Sequence, residues 1–249
     1  MSRFFEELDY RPTPIGAISL RRRHELRLGV DVLEIKLGDE HLMSDLFTAS
    51  EIALADLGLA ACEGESLDVV VGGLGLGYTA RAVLGSERCR SLLVVEYLEA
   101  VIDWHESGLL PLGPELTGDQ RCRLVEGDFF AMASSGTGFD AGAPGRQFDA
   151  ILLDIDHSPD ALLDPRSTSF YQPEGLAELA AHLRPGGIFG LWSDDRENSA
   201  FTERLAGAFA EAWAEPVTFH NPLQDRPFTQ TVYLARKAGC RSMPKHQQT

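Results

Sequence analysis

The chain has 249 residues, of which 44% are hydrophobic, and a formal net charge of −16 at pH 7. This length allows one large domain, or a core domain with a small appendage. The acidic charge argues against a nucleic-acid partner, which would need clustered Lys and Arg, and no stretch approaches the ~20 apolar residues that span a membrane.

The four cysteines are scattered, with neither CxxC pairs nor a neighbouring His at metal-ligand spacing. We therefore expect reduced thiols in a cytoplasmic protein, and no metal site. The first residues lack the apolar core of a secretory signal, which fits the same location. An acidic surface also favours a cationic small molecule as the substrate.

Short alternating apolar runs, separated by Gly and charged turns, fill residues 14–45. They predict two or three antiparallel strands, and we assign residues 1–45 to a small N-terminal β unit. Residues Thr48 to Glu51 have the pattern of a capping box, which predicts a helix running to about Leu59.

From residue 67 onward, apolar strands alternate with helical stretches. This alternation predicts an α/β fold over residues 46–237, with a Rossmann-like, doubly wound and mostly parallel sheet of seven strands. The predicted helices cover 78–84, 97–107, 173–183 and 199–213, with a flexible loop at 134–147 and a disordered tail at 238–249. The predicted strands are Leu67–Val71, Ser91–Glu96, Cys122–Glu126, Phe148–Asp154, Gly187–Trp192, Val217–His220 and Thr231–Ala235.

A glycine-rich segment joins the first of these strands to a helix and contains Gly72, Gly73, Gly75 and Gly77. The missing Cβ atoms let a ligand approach the backbone. Free N–H groups and the positive end of a helix dipole would then face that ligand. A nucleotide-type cofactor is therefore the first hypothesis for this chain.

The later strands also end in residues that suit such a cofactor. Glu96 ends the second strand, where a carboxylate can accept hydrogen bonds from both hydroxyls of a ribose. Ligands bind at the carboxyl ends of parallel strands, so the residues after each strand are expected to meet in one site. The third and fourth strands are followed by Gly127, Asp128, Asp154, Asp156 and His157.

Taken alone, the glycine loop also fits an NAD-binding dehydrogenase. Residues 75–80 satisfy the pattern GxGxxG/A, and Glu96 is correctly placed for the ribose. A dehydrogenase does not require the acid at Asp128 or the turn Leu183–Gly187. We therefore rank it below the hypotheses that follow.

The spaced set of glycine loop, Glu96, Gly127-Asp128, Asp154 and Leu183–Gly187 resembles class I S-adenosylmethionine (SAM)-dependent transferases. Within them, residues 30–193 are most similar to the spermidine-synthase-like (aminopropyltransferase) branch, which also has a small N-terminal β unit. The resemblance implies that the glycine loop holds the amino-acid end of the cofactor. It also implies that Glu96 binds the ribose and Asp128 the adenine amino group, and it allows a homodimer that pairs through the β unit.

Each of these residues also has a purely structural interpretation. Gly72 and Gly73 would permit close packing between helix and strand. Glu96 could be an ordinary acid at a strand end. Asp128 could cap a short helix over residues 129–133, because Asp favours that position.

The chain departs from the family in its glycine loop. Gly75 occupies the place of an Asp that lies near the ammonium tail of decarboxylated SAM in the family. Losing that acid removes a charge-assisted hydrogen bond, typically worth ~1.5–3 kcal/mol, and leaves backbone N–H groups that suit a carboxylate better. The loop therefore favours intact SAM, and hence methyl transfer to a small, amine-bearing acceptor.

The motifs of the family's polyamine pocket have changed as well. The segment Phe47–Ala53 replaces an acidic run and keeps only Glu51, and residues 154–157 replace an Asp-Ser-Ser-Asp motif. Aminopropyl transfer from decarboxylated SAM, as in polyamine synthesis, is the second hypothesis. A homologue that binds the cofactor without catalysis is the third.

Asp154 and Asp156 are the catalytic candidates, because a carboxylate can hold an ammonium group and accept its proton. His157 could be the base instead, since histidine titrates near neutral pH, or it could be a surface histidine. Further candidates for the acceptor pocket are Tyr171, for which core packing is the alternative, Trp192 and Asp194.

Overall fold

The computed structural model describes residues 4–239, which form two β-sheets and the helices that pack on them. Residues 240–249 of the predicted tail lie outside this part of the chain, as does Cys240. The other cysteines, Cys62, Cys89 and Cys122, are free thiols.

The smaller sheet is antiparallel and has four strands in the order β1-β2-β3-β4. The predicted N-terminal β unit is thus confirmed, but it contains one strand more than expected. The additional strand, β1, is rich in charged residues and lacks a clear apolar alternation, so the hydrophobic pattern did not predict it. The strands are β1 Phe5–Thr13, β2 Gly16–Glu25, β3 Val30–Leu37 and β4 Glu40–Ser44.

The larger sheet has seven strands in the order β10-β11-β9-β8-β5-β6-β7. The five strands from β5 to β9 run parallel. At one edge, β11 runs antiparallel to β9, and β10 runs antiparallel to β11. This confirms the predicted mostly parallel, Rossmann-like sheet. Its strands are β5 Leu67–Gly72, β6 Cys89–Glu96, β7 Cys122–Glu126, β8 Phe148–Leu153, β9 Leu183–Ser193, β10 Glu211–Asn221 and β11 Arg226–Arg236.

Helices cover both faces of this sheet. The capping box at Thr48 is not formed, because the Thr48 side chain makes no capping bond and the Glu51 carboxylate accepts from Ser50 Oγ instead. The helices are α1 Ala49–Ala61, α2 Tyr78–Gly85, α3 Glu99–Glu106, α4 Gly113–Gly118, α5 Phe129–Ala133, α6 Pro173–Ala181 and α7 Ser199–Ala208, with a 3-10 helix at Pro165–Tyr171.

The helix predicted over 199–213 was too long. Helix α7 ends at Ala208, and from Glu211 the chain forms β10, which pairs with β11 along its whole length. Residues such as Ala212 and Ala214 favour helices locally, but the cross-strand partners in the hairpin outweigh that propensity.

The loop at 134–147 contains neither helix nor strand, as predicted, yet it is anchored to the fold. Phe139 is fully buried, with its ring stacked on that of Phe129 at 4.9 Å between centroids. Asp140 is buried beside it and forms ion pairs with Arg123 and Arg146.

The strand order determines where a ligand can bind. From β5 the chain moves outward through β6 to β7, and it then returns to place β8 on the other side of β5. The loops that follow β5 and β8 therefore diverge at a topological switch point, where open α/β sheets bind their ligands.

Candidate active site

A cavity of about 450 Å³ opens at the carboxyl ends of the parallel strands. It is lined by residues that follow all five of them, and it is closed on one side by β3, β4 and the start of α1. The lining includes Gly73, Gly75, Glu96, Gly127, Asp128, Asp154, Asp156, His157, Trp192 and Asp194 from the sequence prediction.

Two glycines of the loop line this cavity and have backbone conformations that suit glycine. Gly73 has φ +93°, and a Cβ atom there would overlap the backbone oxygen of Asp154. Gly75 has φ +46°, and a Cβ atom there would overlap Sδ of Met43. The absence of side chains thus brings the loops after β5 and β8 into contact and lets β4 close over the glycine loop.

The other two predicted glycines serve packing instead and do not line the cavity. A Cβ atom on Gly72 would meet the ring of Phe129, and one on Gly77 would meet Leu116 and His105. The structural interpretation therefore describes these two positions better than ligand contact does.

Glu96 lies half-buried at the cavity floor, beside the glycine loop. Its carboxylate accepts from the amide of Leu74 at 3.0 Å and from that of Leu98 at 2.8 Å. Burial raises the pKa of Glu96, and hydrogen bonds from Leu98, Leu74 and Gly75 partly offset that rise.

The remaining amides of the loop are also engaged. Those of Gly73 and Gly77 donate to backbone carbonyls, at 2.9 and 2.8 Å. That of Leu76 donates to Sδ of Met43 at 3.1 Å. The expectation that these N–H groups point freely at a ligand is therefore not met.

Asp128 caps a helix, as the structural interpretation predicted, and it also lies at the cavity. Its Oδ1 atom caps α5 by accepting from the amides of Phe130 and Ala131, at 3.0 and 3.1 Å. The residue also lines the cavity, next to Gly127. Within residues 4–239 no hydrogen bond occupies Oδ2, so this oxygen can accept from a ligand.

The main electrostatic feature of the cavity is a pair of acids, Asp154 after β8 and Glu51 on α1. Asp154 accepts a hydrogen bond from Thr79 Oγ1 at 2.6 Å. Burial raises its pKa to about 6, although the Thr79 bond opposes the rise. Burial and the charge of Asp154 together raise the pKa of Glu51 to about 7.

Neither member of this pair has a cationic partner in the part of the chain that the structure describes. The charge of Asp194, at the end of β9, adds to the repulsion felt by Glu51. The sequence did not predict Glu51 as a site residue. The one feature that pointed to it was that Glu51 is the acid retained in the altered segment Phe47–Ala53.

The other two catalytic candidates are held by neighbouring groups. Asp156 is 4% exposed and accepts from Tyr171 Oη at 2.6 Å and from the amide of Leu163 at 2.7 Å, and burial raises its pKa. His157 Nε2 lies 3.0 Å from Oε1 of Glu40 in the small sheet. Tyr171 itself is buried in the core and does not line the cavity.

The side of the cavity near β9 is formed mainly by aromatic residues. Trp192 and Asp194 lie there, as expected, and Asp194 accepts from Gln230 Nε2 at 2.6 Å. The rings of Phe47, Phe219 and Phe228 were not predicted to contribute. Their role depends on the β10–β11 hairpin, part of which was predicted as helix.

Residues 4–239 contain neither a cluster of metal ligands nor a membrane-spanning helix. No three His, Cys, Asp or Glu side chains in this range are grouped as metal ligands. No helix in the same range has the length and hydropathy of a membrane span.

No protein-family model matches the chain. Among solved structures, it is similar to spermidine synthase from Thermotoga maritima, with a TM-score of 0.71 and 16% sequence identity over 93% of this chain and 73% of that one. A spermidine synthase in complex with the transition state analogue AdoDATO gives the same TM-score and identity, over 93% and 74% of the two chains. The chain therefore has the class I SAM-transferase-like fold of spermidine synthases, as the sequence resemblance predicted.

Proposed function

We propose that this protein is a SAM-type transferase that alkylates the nitrogen of a small amine. The observation that carries the proposal is the pair formed by buried Glu51 and half-buried Asp154, two cavity-lining acids that repel each other and have no cationic partner among the described residues. An ammonium group would supply the missing positive charge. Perturbed acids of this kind, in a cavity at the switch point, are typical of functional sites.

The cavity fits the proposed cofactor. Glu96 is placed for the ribose, and the free Oδ2 of Asp128 can accept from the adenine amino group. Apolar side chains of Val95, Leu98 and Phe130 line the same part of the cavity. When bound, the sulfonium supplies an electrophilic carbon: its C–S bond breaks as the C–N bond forms, and the electron pair stays on sulfur.

The residues of this chain prepare the amine. An ammonium nitrogen must lose a proton before it can attack, and Asp154 with Glu51 can accept one. Their pKa values of about 6 and about 7 are close to neutral pH, which suits a general base. Thr79 holds the Asp154 carboxylate in a fixed orientation through the hydrogen bond to Oδ2.

We propose decarboxylated SAM as the donor, and therefore aminopropyl transfer. The amides from Gly73 to Gly77 are engaged, so they are not available to a carboxylate tail. Among the described residues that line the cavity, Arg166 is the single Arg or Lys, and it is paired with Asp164 at 2.5 Å. A cofactor tail without a carboxylate suits this acidic surface better.

Methyl transfer from intact SAM is the second candidate, favoured by two features of the glycine loop. Gly75 provides no acid for an ammonium tail. Helix α2 begins after Gly77 without a side-chain cap, and N–H groups in an uncapped first turn attract a carboxylate.

Calorimetry with both forms of SAM, followed by mass spectrometry of the products, tests these candidates. Tighter binding of decarboxylated SAM, with release of methylthioadenosine and an aminopropylated amine, would support the first. S-adenosylhomocysteine and a methylated amine would support the second. Binding without turnover over a broad amine panel would indicate a non-catalytic homologue, and no binding of either form would contradict the proposal.

A further inference from the structure

We infer that the acceptor is a monoamine with an apolar, preferably aromatic, substituent, and not a diamine. The inference rests on the proposed function, because it concerns the second occupant of the same cavity. It is carried by an apolar wall next to the acid pair, formed by the rings of Phe47, Phe219 and Phe228.

The strand order shows which part of the cavity an acceptor would occupy. The residues proposed to bind the cofactor follow β5, β6 and β7. Asp154 follows β8, which lies between β5 and β9 in the sheet. An acceptor with its nitrogen at Asp154 therefore extends away from the glycine loop, toward β9 and the β10–β11 hairpin.

The wall at that end consists of phenylalanine rings in mutual contact. Phe219 and Phe228 are cross-strand partners in the hairpin, with ring centroids 5.8 Å apart. Phe47, which precedes α1, lies 6.0 Å from Phe219 by the same measure. All three rings are half-buried and line the cavity, so a ligand that covers them would remove apolar surface from water.

Polar groups of the hairpin near this wall are already hydrogen-bonded. Gln230 donates to Asp194. The side chain of Asn221 accepts from the amides of Leu223 and Gln224 within the turn, at 2.9 and 3.1 Å. Gln224 accepts from Arg226 Nε at 2.6 Å. All three side chains are neutral amides, so none of them can neutralise the charge of a second ammonium group.

Glu51, Asp154 and Asp194 form one cluster of acids on this side of the cavity, since the charges of Asp154 and Asp194 both act on Glu51. Asp156 is held by Tyr171. The hairpin and Phe47 contribute no further acid to the lining within residues 4–239. The far ammonium of a diamine would lie against the phenylalanine rings, without a carboxylate partner. Placing a charge there without a partner is unfavourable, whereas a hydrocarbon or aromatic group gains from burial.

The first test compares two amines of similar reach by calorimetry, with methylthioadenosine present and about 0.15 M salt to suppress non-specific attraction. We expect 2-phenylethylamine to bind at least about ten-fold more tightly than 1,4-diaminobutane, because its ring covers the apolar wall. Tighter binding of 1,4-diaminobutane would overturn the inference and would indicate that the rings hold an ammonium through cation–π contacts.

Variants at Phe228 sharpen this test, with thermal melts to show that each variant folds. Phe228→Ala should weaken binding of 2-phenylethylamine by about ten-fold, and Phe228→Leu, which keeps an apolar side chain, by much less. Phe228→Glu supplies a second acid and should shift the preference toward 1,4-diaminobutane. Phe5→Ala is the matched control, since Phe5 is 43% exposed and lies outside the cavity.

The outcomes separate the inference from the proposed function. If both amines bind but Phe228→Ala leaves the affinity for 2-phenylethylamine unchanged, the inference is wrong and the amine transferase remains. If neither amine binds and no form of SAM binds, both the inference and the proposed function are wrong.

Discussion

Carboxylates lie at both ends of the parallel sheet, but within residues 4–239 the acid pair at the carboxyl end, Glu51 and Asp154, has no cationic partner. At the amino end, Asp68 on β5 is 1% exposed and is paired with Arg90, with Arg184 at 2.7 Å and with Arg146 at 3.1 Å. At the carboxyl end, Asp154 has a threonine as its hydrogen-bond partner and another acid nearby.

The pKa values of the carboxyl groups at the two ends are therefore shifted in opposite directions. Burial alone would raise the pKa of Asp68, but hydrogen bonds from Arg90, Ser91 and Arg184 lower it well below its ordinary value. At Asp154 burial dominates, and the pKa rises to about 6. Arginines make the amino end a structural network, whereas the described part of the chain provides no cation to Glu51 and Asp154, which is why we propose a cationic ligand there.

The two ends also respond to pH with opposite signs. Asp68 has a lowered pKa in the folded protein, so it adds stability above its ordinary value of 3.8, and that stability is lost as the pH falls. Glu51 and Asp154 have raised pKa values, so the folded protein retains their protons longer than the unfolded chain. They therefore lower stability as the pH rises from about 4 through about 7.

The largest expected effect is that of Asp154→Asn on catalysis. The amide keeps the shape of the side chain but cannot accept the amine proton, so kcat should fall by roughly 10²–10⁴. The melting temperature should stay the same or rise, because a repelling buried charge is removed. Steady-state kinetics and thermal melts measure both, and unchanged kcat would exclude Asp154 as the base.

The converse change at the amino end is Asp68→Asn, which leaves three arginines without their shared carboxylate. The arginines that remain are partly exposed, and Arg184 and Arg146 keep Asp149 and Asp140 as partners. The free energy of unfolding should therefore drop by about 1.5–3 kcal/mol, the range for a hydrogen bond to a charged group. Urea titration measures the loss. If kcat of the folded fraction also fell sharply, the separation of the two ends into structure and function would be wrong.

Glu51→Gln should remove the loss of stability that the ionisation of Glu51 causes as the pH rises. Near pH 4 the variant and the parent should be almost equally stable, because Glu51 is then protonated in the folded protein and largely protonated in the unfolded chain. By about pH 8 the variant should be more stable by roughly 2 kcal/mol, because the parent carries a repelled charge there. Urea titrations at several pH values in this range measure the free energy of unfolding of both proteins. If the difference between them is the same at every pH, the raised pKa of Glu51 is wrong.

Thr79→Val is expected to give the smallest effect, confined to the pH profile. It removes the hydrogen bond that stabilises ionised Asp154, typically worth about 1 kcal/mol, so the pKa of Asp154 should rise further. The pH at which kcat reaches half of its plateau should move upward by less than about one unit. Thr218→Val on the exposed face of the hairpin is the control and should leave the profile unchanged.

The sequence predicted the side of the site that follows the strands. Parallel strands carry long apolar runs with a break at each carboxyl end, so Glu96, Asp128 and Asp154 could be placed without coordinates. Gly73 and Gly75 belong to the same pattern, since their positions between strand and helix already implied close backbone approach.

Residues brought in by packing could not be found in this way. Glu51 is on the helix before the first parallel strand, and its position beside Asp154 depends on how α1 packs against the sheet. Asp156 could not be separated from Asp154 by sequence, because only the fold brings Tyr171 Oη to its carboxylate. The phenylalanine wall also needed the fold: Phe219 lies in the predicted strand Val217–His220, but only the pairing of β10 with β11 places it opposite Phe228.

By itself, the sequence determined the fold class and the side of the cavity formed by the strand ends, because hydrophobic periodicity and glycine spacing are local properties of the chain. The tertiary structure alone decided which acids have cationic partners. That difference depends on arginines distant in sequence that reach Asp68 and on the absence of any that reach Glu51 or Asp154 within residues 4–239. Charge pairing is a property of distances between side chains, and only the packed fold fixes those distances.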